Sequence, residues 1–298
     1  MTHLNFEGVH ALVATHFPPG AVQLEEVLKE VGVGNIRTLD SLELVRTELR
    51  ENFFDLFIAE TEWSEGNLGE MINAVRHGEM GPNPYLVILG MADDVDSISA
   101  KRAVRNGAEG LLPSPVDAAA MSNALKKACQ ARIPFVTTSD YVGPDRRGGK
   151  GAESLIPLLD VPNSLRDRAD GTFNPEQLAA SVFEMMVKVN REKLDRHSAL
   201  IVLLTNRVGP DLLVGGVDEG IRVFFEQIVL LAEDTIRRLN APATDPSVEA
   251  CKALMAKIAQ LDEMRGVPKN VEVNHLIQLA KAVKAHIAPD VANYAPRY

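Results

Sequence analysis

Five short apolar segments, each followed by residues with helical spacing, are the feature that most constrains the fold of the first half of this chain. The segments lie at 9–14, 35–38, 53–59, 85–89 and 111–112. Strands that are apolar throughout and are separated by helices indicate a parallel sheet that is covered on both faces. The sequence therefore predicts an α/β domain over residues 1–133, with a five-stranded, doubly wound parallel sheet.

The segment 134–173 differs from this pattern. It is rich in glycine, proline and charge, and it contains the run Gly143-Pro144-Asp145-Arg146-Arg147. Such a composition is typical of a linker or of a chain that lies extended over a surface. We therefore predict a linker between two domains.

Residues 174–298 have helical spacing with clear start and stop signals. Asn174 is a candidate N-cap, Pro175 suits the first helical position, and Gln177 occupies the place of a capping-box partner. The pattern predicts a long helix that ends at Gly209-Pro210 and three further helices, at about 218–239, 244–266 and 271–287. We expect an all-α helical bundle of four, whose broad apolar faces also suit a homodimer.

Length and composition exclude several classes of protein. A chain of 298 residues suggests about two domains. Its two cysteines, Cys129 and Cys251, are too few for a disulfide framework or a cysteine-based zinc site. We see no apolar run of the roughly 18–20 residues that a membrane helix needs and no signal peptide at the start. We expect a soluble cytoplasmic protein that does not bind membranes.

The charge is distributed unevenly. Residues 1–140 contain 20 acidic and 11 basic side chains, whereas residues 141–298 contain 21 and 20. An acidic surface repels the phosphate backbone of nucleic acids, so the first half argues against nucleic-acid binding. The nearly neutral second half neither excludes such binding nor indicates it.

Three segments between residues 8 and 130 resemble the receiver domains of bacterial response regulators, the CheY-like family of two-component signalling. The run from Phe54 to Glu60 is similar to the family's third strand, which normally ends in the phosphorylated aspartate. Residues 82–89 are similar to the approach to strand 4. Residues 106–115, NGAEGLLPSP, are similar to the segment around strand 5. The resemblance implies a five-stranded receiver fold and a role in signalling.

The same resemblance indicates that the phosphorylation site is degenerate. The family holds Mg²⁺ with an acidic pair after strand 1 and with the acceptor aspartate, and it contacts the phosphoryl group with a Ser/Thr and a Lys. An aromatic switch residue precedes that Lys by three positions. In place of the acidic pair this chain has Thr15 and His16, and in place of the acceptor aspartate it has Glu60. The Ser/Thr position is Gly90, the aromatic position is Leu111 and the Lys position is Ser114. The sequence predicts a pseudo-receiver without phosphotransfer, metal or other cofactor.

Two residues near this site allow alternative interpretations. Glu60 could mimic a phosphorylated aspartate, or it could be a polar residue at a strand end that reacts with nothing. The absence of the lysine, the hydroxyl and the aromatic switch favours the second interpretation. Trp63 could be an exposed interface anchor, or it could fold onto its own domain.

The helical half offers weaker candidates for chemistry. His197 lies mid-helix and is a candidate for phosphotransfer, although a structural histidine on a bundle face fits its sequence better. Gln227 and Asp234 share a helix face. A phosphatase that acts on receivers would need such an amide or carboxylate on a helix to position a water molecule. Any amphipathic helix supplies such a pair by chance. Basic residues for nucleic acid are interleaved with acids, and stacking aromatics are scarce.

These observations predict a non-catalytic signalling protein that acts through protein–protein interaction. The expected partners are a kinase, another receiver or a chemotaxis-type component, and a second copy of the chain. The resemblance implies that residues 96–105 and 117–127 form the contact surface. A histidine-phosphotransfer or receiver-phosphatase module is the first alternative, and a nucleic-acid-binding regulator is the second.

Overall fold

A computed structural model describes residues 4–64, 66–147 and 156–287. The chain divides into two compact units, Met1–Met185 and Met186–Tyr298. The boundary between these units falls inside a helix, whereas the sequence predicts a boundary at residues 173–174.

The first unit contains the five-stranded parallel sheet that the sequence predicts, which confirms the fold class. The strand order is β2-β1-β3-β4-β5, and every neighbouring pair is parallel. This order is the flavodoxin-like variant of the doubly wound α/β fold. The strands are β1 (His10–Ala14), β2 (Asn35–Leu39), β3 (Leu56–Glu60), β4 (Val87–Ala92) and β5 (Gly110–Pro113).

Helices cover both faces of this sheet. They are α1 (Pro18–Glu30), α2 (Leu42–Glu51), α3 (Leu68–Arg76), α4 (Ile98–Arg105) and α5 (Ala118–Gln130). Alternate side chains of a strand point to opposite faces, so β1 contributes Val13 to the core beneath α1 and α5 and Leu12 to the core beneath α2 and α3. All six residues of β4 are buried, as expected of a strand with a helical layer on either side.

The segment predicted as a linker, 134–173, is largely built into the first unit. Its described part contains the antiparallel strands β6 (Phe135–Thr137) and β7 (Val142–Pro144) and the short helix α6 (Ser164–Ala169). Phe135 also forms an isolated bridge with Leu159. The chain therefore lies over the surface of the domain, as one of the two sequence interpretations allows, and it forms secondary structure there.

A buried charge cluster attaches this segment to the sheet. Glu109 accepts hydrogen bonds from Arg132 at 2.6 and 2.9 Å and from Arg76 at 3.2 Å. Both guanidinium groups lie over the ring of Phe135, at 5.0 and 5.1 Å from its centroid. Burial lowers the pKa of the Arg76 guanidinium to about 10, so this group stays charged at neutral pH and needs the carboxylate of Glu109.

A second set of contacts fixes α6. Arg168 forms an ion pair with buried Asp55 at 2.7 Å, and Asn163 donates a hydrogen bond to the carbonyl of Ala128 at 2.8 Å. Burial raises the pKa of the Asp55 carboxyl, although Arg168 and the backbone N–H of His10 oppose this effect. The ion pair between Asp55 and Arg168 therefore joins the start of β3 to the end of the segment 134–173.

The described residues of the second unit form helices joined by short connections, as predicted. It contains the later part of α7 (Pro175–Gly215), together with α8 (Glu219–Leu239), α9 (Pro246–Asp262) and α10 (Asn270–Ile287). The four helices share one apolar core. Asp218 caps α8 by accepting from the N–H of Ile221, and Asn240 ends this helix in the left-handed conformation, at φ 47°.

The predicted end of the first long helix at Gly209-Pro210 is wrong. α7 continues through Pro210 to Gly215. A proline inside a helix removes one backbone hydrogen bond, but Pro210 is exposed, and Val208 and Leu212 on either side of it are fully buried. Packing of these neighbours holds the helix where the local sequence favours a break.

The length of α7 also bears on the expectation about membranes. Among the described residues, this is the one helix long and apolar enough to cross a membrane by length and composition alone. Its most apolar window has a mean hydropathy of 1.2, and a third of that window is buried. A helix in a protein core meets the same criterion, so length and hydropathy do not assign α7 to a membrane.

We predict that Glu109→Gln strongly destabilises the first unit, because it leaves two largely buried guanidinium groups without a negative charge. Breaking a buried pair from one side costs about 3–5 kcal/mol. Denaturant unfolding followed by circular dichroism measures the loss. The matched control is Glu48→Gln, since Glu48 pairs with exposed Arg37 and such pairs contribute about 0–1 kcal/mol. Equal effects of the two substitutions would contradict this account.

Candidate functional site

The candidate site is a cavity of about 760 Å³ at the carboxyl ends of β1, β3, β4 and β5. Ligands of open α/β sheets bind at this edge, and the volume lies in the range of about 300–1,000 Å³ that is usual for ligand pockets. The structure brings His16, Glu60 and Ser114 to the wall of this cavity. Their positions follow from the fold, since the residues at the ends of parallel strands meet at one edge.

Hydrogen bonds inside the domain engage both carboxylate oxygens of Glu60, the last residue of β3. Thr15 donates its hydroxyl to Oε1 at 2.5 Å. His16 approaches Oε2 with its Nδ1 at 2.5 Å and donates its backbone N–H to the same oxygen at 3.2 Å. Thr15 and His16, which directly follow β1, therefore bind the side chain at the end of β3.

Trp63 folds onto its own domain, which is the second of the two interpretations given for it. Its indole Nε1 donates to the backbone carbonyl of Glu60 at 2.7 Å. The ring of His16 lies 5.4 Å from the indole, centroid to centroid, at a tilt of 57°. These contacts fix the Trp63 ring at the cavity while leaving the side chain partly exposed.

Side chains from neighbouring elements crowd Gly90. Gly90 lies inside β4, which extends to Ala92 beyond the predicted apolar segment 85–89, and it pairs in register with Leu111 of β5. A Cβ atom at Gly90 would lie 2.8 Å from Leu111 Cδ2 and 3.0 Å from Thr61 Cγ2. Leu111 therefore occupies space that a hydroxyl-bearing side chain at position 90 would need.

The residues at this edge do not fit the Mg²⁺ ion that receivers hold. Mg²⁺ prefers carboxylates and water, whereas Thr15 and His16 offer a hydroxyl and an imidazole that already contact Glu60. No group of three histidine, cysteine or acidic side chains suited to a metal occurs in the described parts of the chain.

Two further carboxylates line the cavity. Glu62 and Asp93 are exposed and make no hydrogen bond or ion pair within the described residues. The described lining contains no lysine or arginine. Phe17 and Thr61 also line it, and the sequence reasoning missed both. Their positions directly after Thr15-His16 and Glu60, at the strand ends, are the signal that could have found them.

His197, the candidate phosphotransfer residue, lies in the core of the second unit. Its side chain is 1% exposed, with Nε2 at 3.5 Å from Asp234 and Nδ1 at 3.5 Å from the Thr235 hydroxyl. Burial opposes ionisation of Asp234, but Arg238, Arg237 and His197 outweigh it and lower the pKa of this carboxyl. A phosphotransfer histidine must be reachable by its partner, and this burial does not meet that requirement.

The two members of the proposed phosphatase pair differ in environment. Gln227 is exposed on α8, whereas Asp234 is only partly exposed and accepts from Arg238 at 2.8 Å. Arg237 also donates to Asp234. A carboxylate held by two arginines has little freedom to orient a water molecule.

Comparison with known proteins gives matches at the level of structure. No protein-family model matches the chain, and neither does any curated protein sequence. One similar structure is described as a pilus assembly-related protein from Burkholderia pseudomallei, with 22% identity over 42% of this chain and 92% of that one, at a TM-score of 0.35.

Two others are receiver structures. The chemotaxis response regulator CheY4 of Vibrio cholerae is 16% identical over 40% of this chain and 97% of its own, at a TM-score of 0.36. The receiver domain of sensor histidine kinase PA1611 from Pseudomonas aeruginosa is 12% identical over 40% of this chain and 96% of its own, at a TM-score of 0.37. All three cover only the part of the chain that forms the sheet, and the fold assignment rests on the strand order and register given above.

We predict that Gly90→Ala destabilises the first unit by about 1–3 kcal/mol, because the added methyl group meets Leu111 and Thr61. Denaturant unfolding measures the change. The double variant Gly90→Ala/Leu111→Ala should recover part of the loss, since removing the leucine side chain frees the space. Gly8→Ala is the control, because nothing lies within 4 Å of a Cβ there. If the losses in free energy of unfolding of the two single variants simply add up in the double variant, the contact between position 90 and Leu111 is contradicted.

Proposed function

We propose that this chain is a non-catalytic signalling protein whose receiver-like domain takes no phosphoryl group and acts through protein–protein interaction. The observation that carries the proposal is the pairing of Glu60 with Thr15 and His16. An acceptor must offer a free carboxylate oxygen to the phosphoryl donor and must share a metal ion with neighbouring acids. Here both oxygens are engaged, and the neighbouring acids are replaced.

The contact face that we propose lies on α4 and α5, within residues 96–105 and 117–127. Ile98 at the start of α4 is among the most exposed large apolar side chains in the first unit, and Val95 just before it is also exposed. Exposed apolar residues beside charged ones are typical of interaction surfaces. The partners that this face suits are signalling proteins such as a kinase or another receiver.

The second unit supports a proposal of self-association. His197 lies beside Asp234 and Asn190 donates to the carbonyl of Arg238, so α7 and α8 run antiparallel with these residues level. The same alignment brings Leu203 level with Leu230, and these side chains are 63% and 64% exposed. Two exposed leucines at the same height of a helical hairpin can form an apolar contact with the same hairpin of a second copy of the chain.

The central test is exposure of the full-length protein to a small-molecule phosphoryl donor, acetyl phosphate, with Mg²⁺. We expect no phosphorylated species by intact-mass spectrometry. The variant Glu60→Asp is expected to remain unphosphorylated as well, because Thr15 and His16 still do not supply the metal-binding acids. An active receiver treated in parallel confirms that the donor works. Phosphorylation of the native chain that Glu60→Gln abolishes would overturn the proposal.

We predict that the full-length protein is a dimer and that Leu203→Glu/Leu230→Glu makes it a monomer, because the substitutions place charges in the proposed apolar contact. Light scattering over a range of concentrations measures the mass. The control Asn274→Glu/Gln278→Glu adds the same charge on exposed positions of α10 and should remain dimeric. If the native protein is a monomer, the proposal of self-association is wrong.

A further inference from the structure

A groove between α8 and α9 leaves apolar surface of the second unit open to solvent. Its volume is about 510 Å³, within the range of about 300–1,000 Å³ that is usual for binding pockets. Phe225 and Ile258 line it, and each is only 4% exposed. Val229 and Met255 line it as well and are partly exposed. The packing of α8 on α9 therefore leaves these side chains incompletely covered, and the groove offers an apolar contact to another molecule.

Small side chains on α9 keep the groove open. Ala256 and Ala259 are exposed and line it, at positions where a long side chain would fill the space. On α8, the lining runs from Arg222 to Val229, which is about two turns of helix, or roughly 10 Å. Three apolar side chains of a helix, at i, i+3 or i+4, and i+7, span the same distance. The dimensions therefore suit a second helix that lies along the groove.

The walls of the groove suit a helix better than an extended peptide. An extended peptide binds by adding a strand to a sheet edge, where backbone N–H and C=O groups are unpaired. Both walls here are helices, and inside a helix each backbone N–H is already bonded to the carbonyl four residues earlier. Binding in this groove therefore depends on side chains, which is the way an amphipathic helix binds.

Carboxylates flank the apolar part of the groove. Glu226 lines it, and Glu263 lies four residues after Ala259, on the same side of α9. Both are exposed, and their side chains have no hydrogen bond or ion pair within the described residues. Arg222 also lines the groove, but it pairs with Asp262 at 2.9 Å. With the positions one turn away included, the acidic residues of the two walls are Glu219, Glu226, Glu233, Asp262 and Glu263, and the basic ones are Arg222 and Lys252.

We propose that this groove binds an amphipathic helix of a partner protein, in which basic residues flank the apolar face. The apolar face would cover Phe225, Val229 and Met255, and the basic residues would lie near Glu226 and Glu263. Opposite charges at the rim of an interface speed association and exclude partners of the wrong sign. A helix with acidic flanks is therefore disfavoured.

This inference goes beyond the proposed function. The contact faces proposed above lie on α4 and α5 and at Leu203 and Leu230, whereas the groove lies between α8 and α9. Binding of a helix there does not depend on whether the first unit takes a phosphoryl group.

Fluorescence anisotropy of a labelled peptide measures this binding to the full-length protein. The probe is a peptide of about 14 residues, or roughly four turns of helix, whose leucines form one helical face and whose lysines form the other. One matched probe contains the same residues in an order that gives no apolar face. A second matched probe has glutamate in place of every lysine.

We expect saturable binding of the leucine–lysine peptide and at least about tenfold weaker binding of both matched probes. No saturable binding of the leucine–lysine peptide would overturn the proposal. Equal binding of the reordered peptide would show a general attraction of cations to an acidic protein and would overturn it as well. Equal binding of the glutamate peptide would contradict the basic character of the partner.

Variants that fill the groove locate the binding site. Ala256→Gln/Ala259→Gln should weaken binding of the leucine–lysine peptide at least about tenfold, because the longer side chains occupy the groove without changing the charge. Circular dichroism verifies that the helices are retained. The control Ala180→Gln/Ala285→Gln makes the same change at exposed positions of α7 and α10 and should leave the affinity unchanged. Equal weakening by this control would overturn the site.

Variants that remove charge test the flanking carboxylates. Glu226→Gln/Glu263→Gln should weaken binding several-fold, since both carboxylates lie beside the groove. The control Glu43→Gln/Glu51→Gln removes the same charge at exposed positions of α2 and should leave the affinity unchanged. Equal effects of the two double variants would contradict the role of these carboxylates.

Light scattering of Ala256→Gln/Ala259→Gln distinguishes a partner helix from a second copy of the chain. If a second copy fills the groove, this variant lowers the mass of the native assembly, and the proposal of a different partner is wrong. An unchanged mass together with the loss of peptide binding supports the proposal.

Discussion

The first unit depends on the burial of two guanidinium groups against one carboxylate. Arg76 comes from α3, Arg132 follows α5, and Glu109 lies just before β5, so the cluster joins three separate parts of the sheet domain. Its cations are covered by the ring of Phe135, the first residue of β6. A charge cluster of this kind is costly to bury unless its groups are paired in good geometry and fully hydrogen-bonded. The segment 134–173 contributes to that, because the carbonyl of Pro162 accepts a hydrogen bond from Arg132 and the ring of Phe135 contacts both cations, which explains why this segment belongs to the domain.

The fold of the sheet could be predicted from the sequence because it depends on local pattern. Continuous apolar strands and helical spacing fix the alternation, and parallel pairing follows from it. The role of the segment 134–173 could not be predicted, because its contacts are made between residues far apart in the chain, such as Arg168 with Asp55. The end of α7 was missed for the same reason. Proline is a local signal for a helix end, but buried neighbours outweighed it.

The site shows a similar division. The residues at the strand ends could be identified from the resemblance to the receiver pattern, and their meeting at one sheet edge follows from the fold. The sequence could not show that Thr15 and His16 bind Glu60, because that depends on side-chain geometry across two strands. Nor could it separate an exposed Trp63 from one held by the Glu60 carbonyl. Burial of His197 is a further property that a single helix face does not reveal.

The side chains at the sheet edge constrain one another. The hydroxyl of Thr15 and the imidazole of His16 contact the two carboxylate oxygens of Glu60. Leu111 and Thr61 close on Gly90, so a larger side chain at position 90 would meet an occupied space. A single substitution at Glu60 or Gly90 therefore disturbs contacts that involve two neighbouring strands, and a different chemistry at this edge would require several substitutions together.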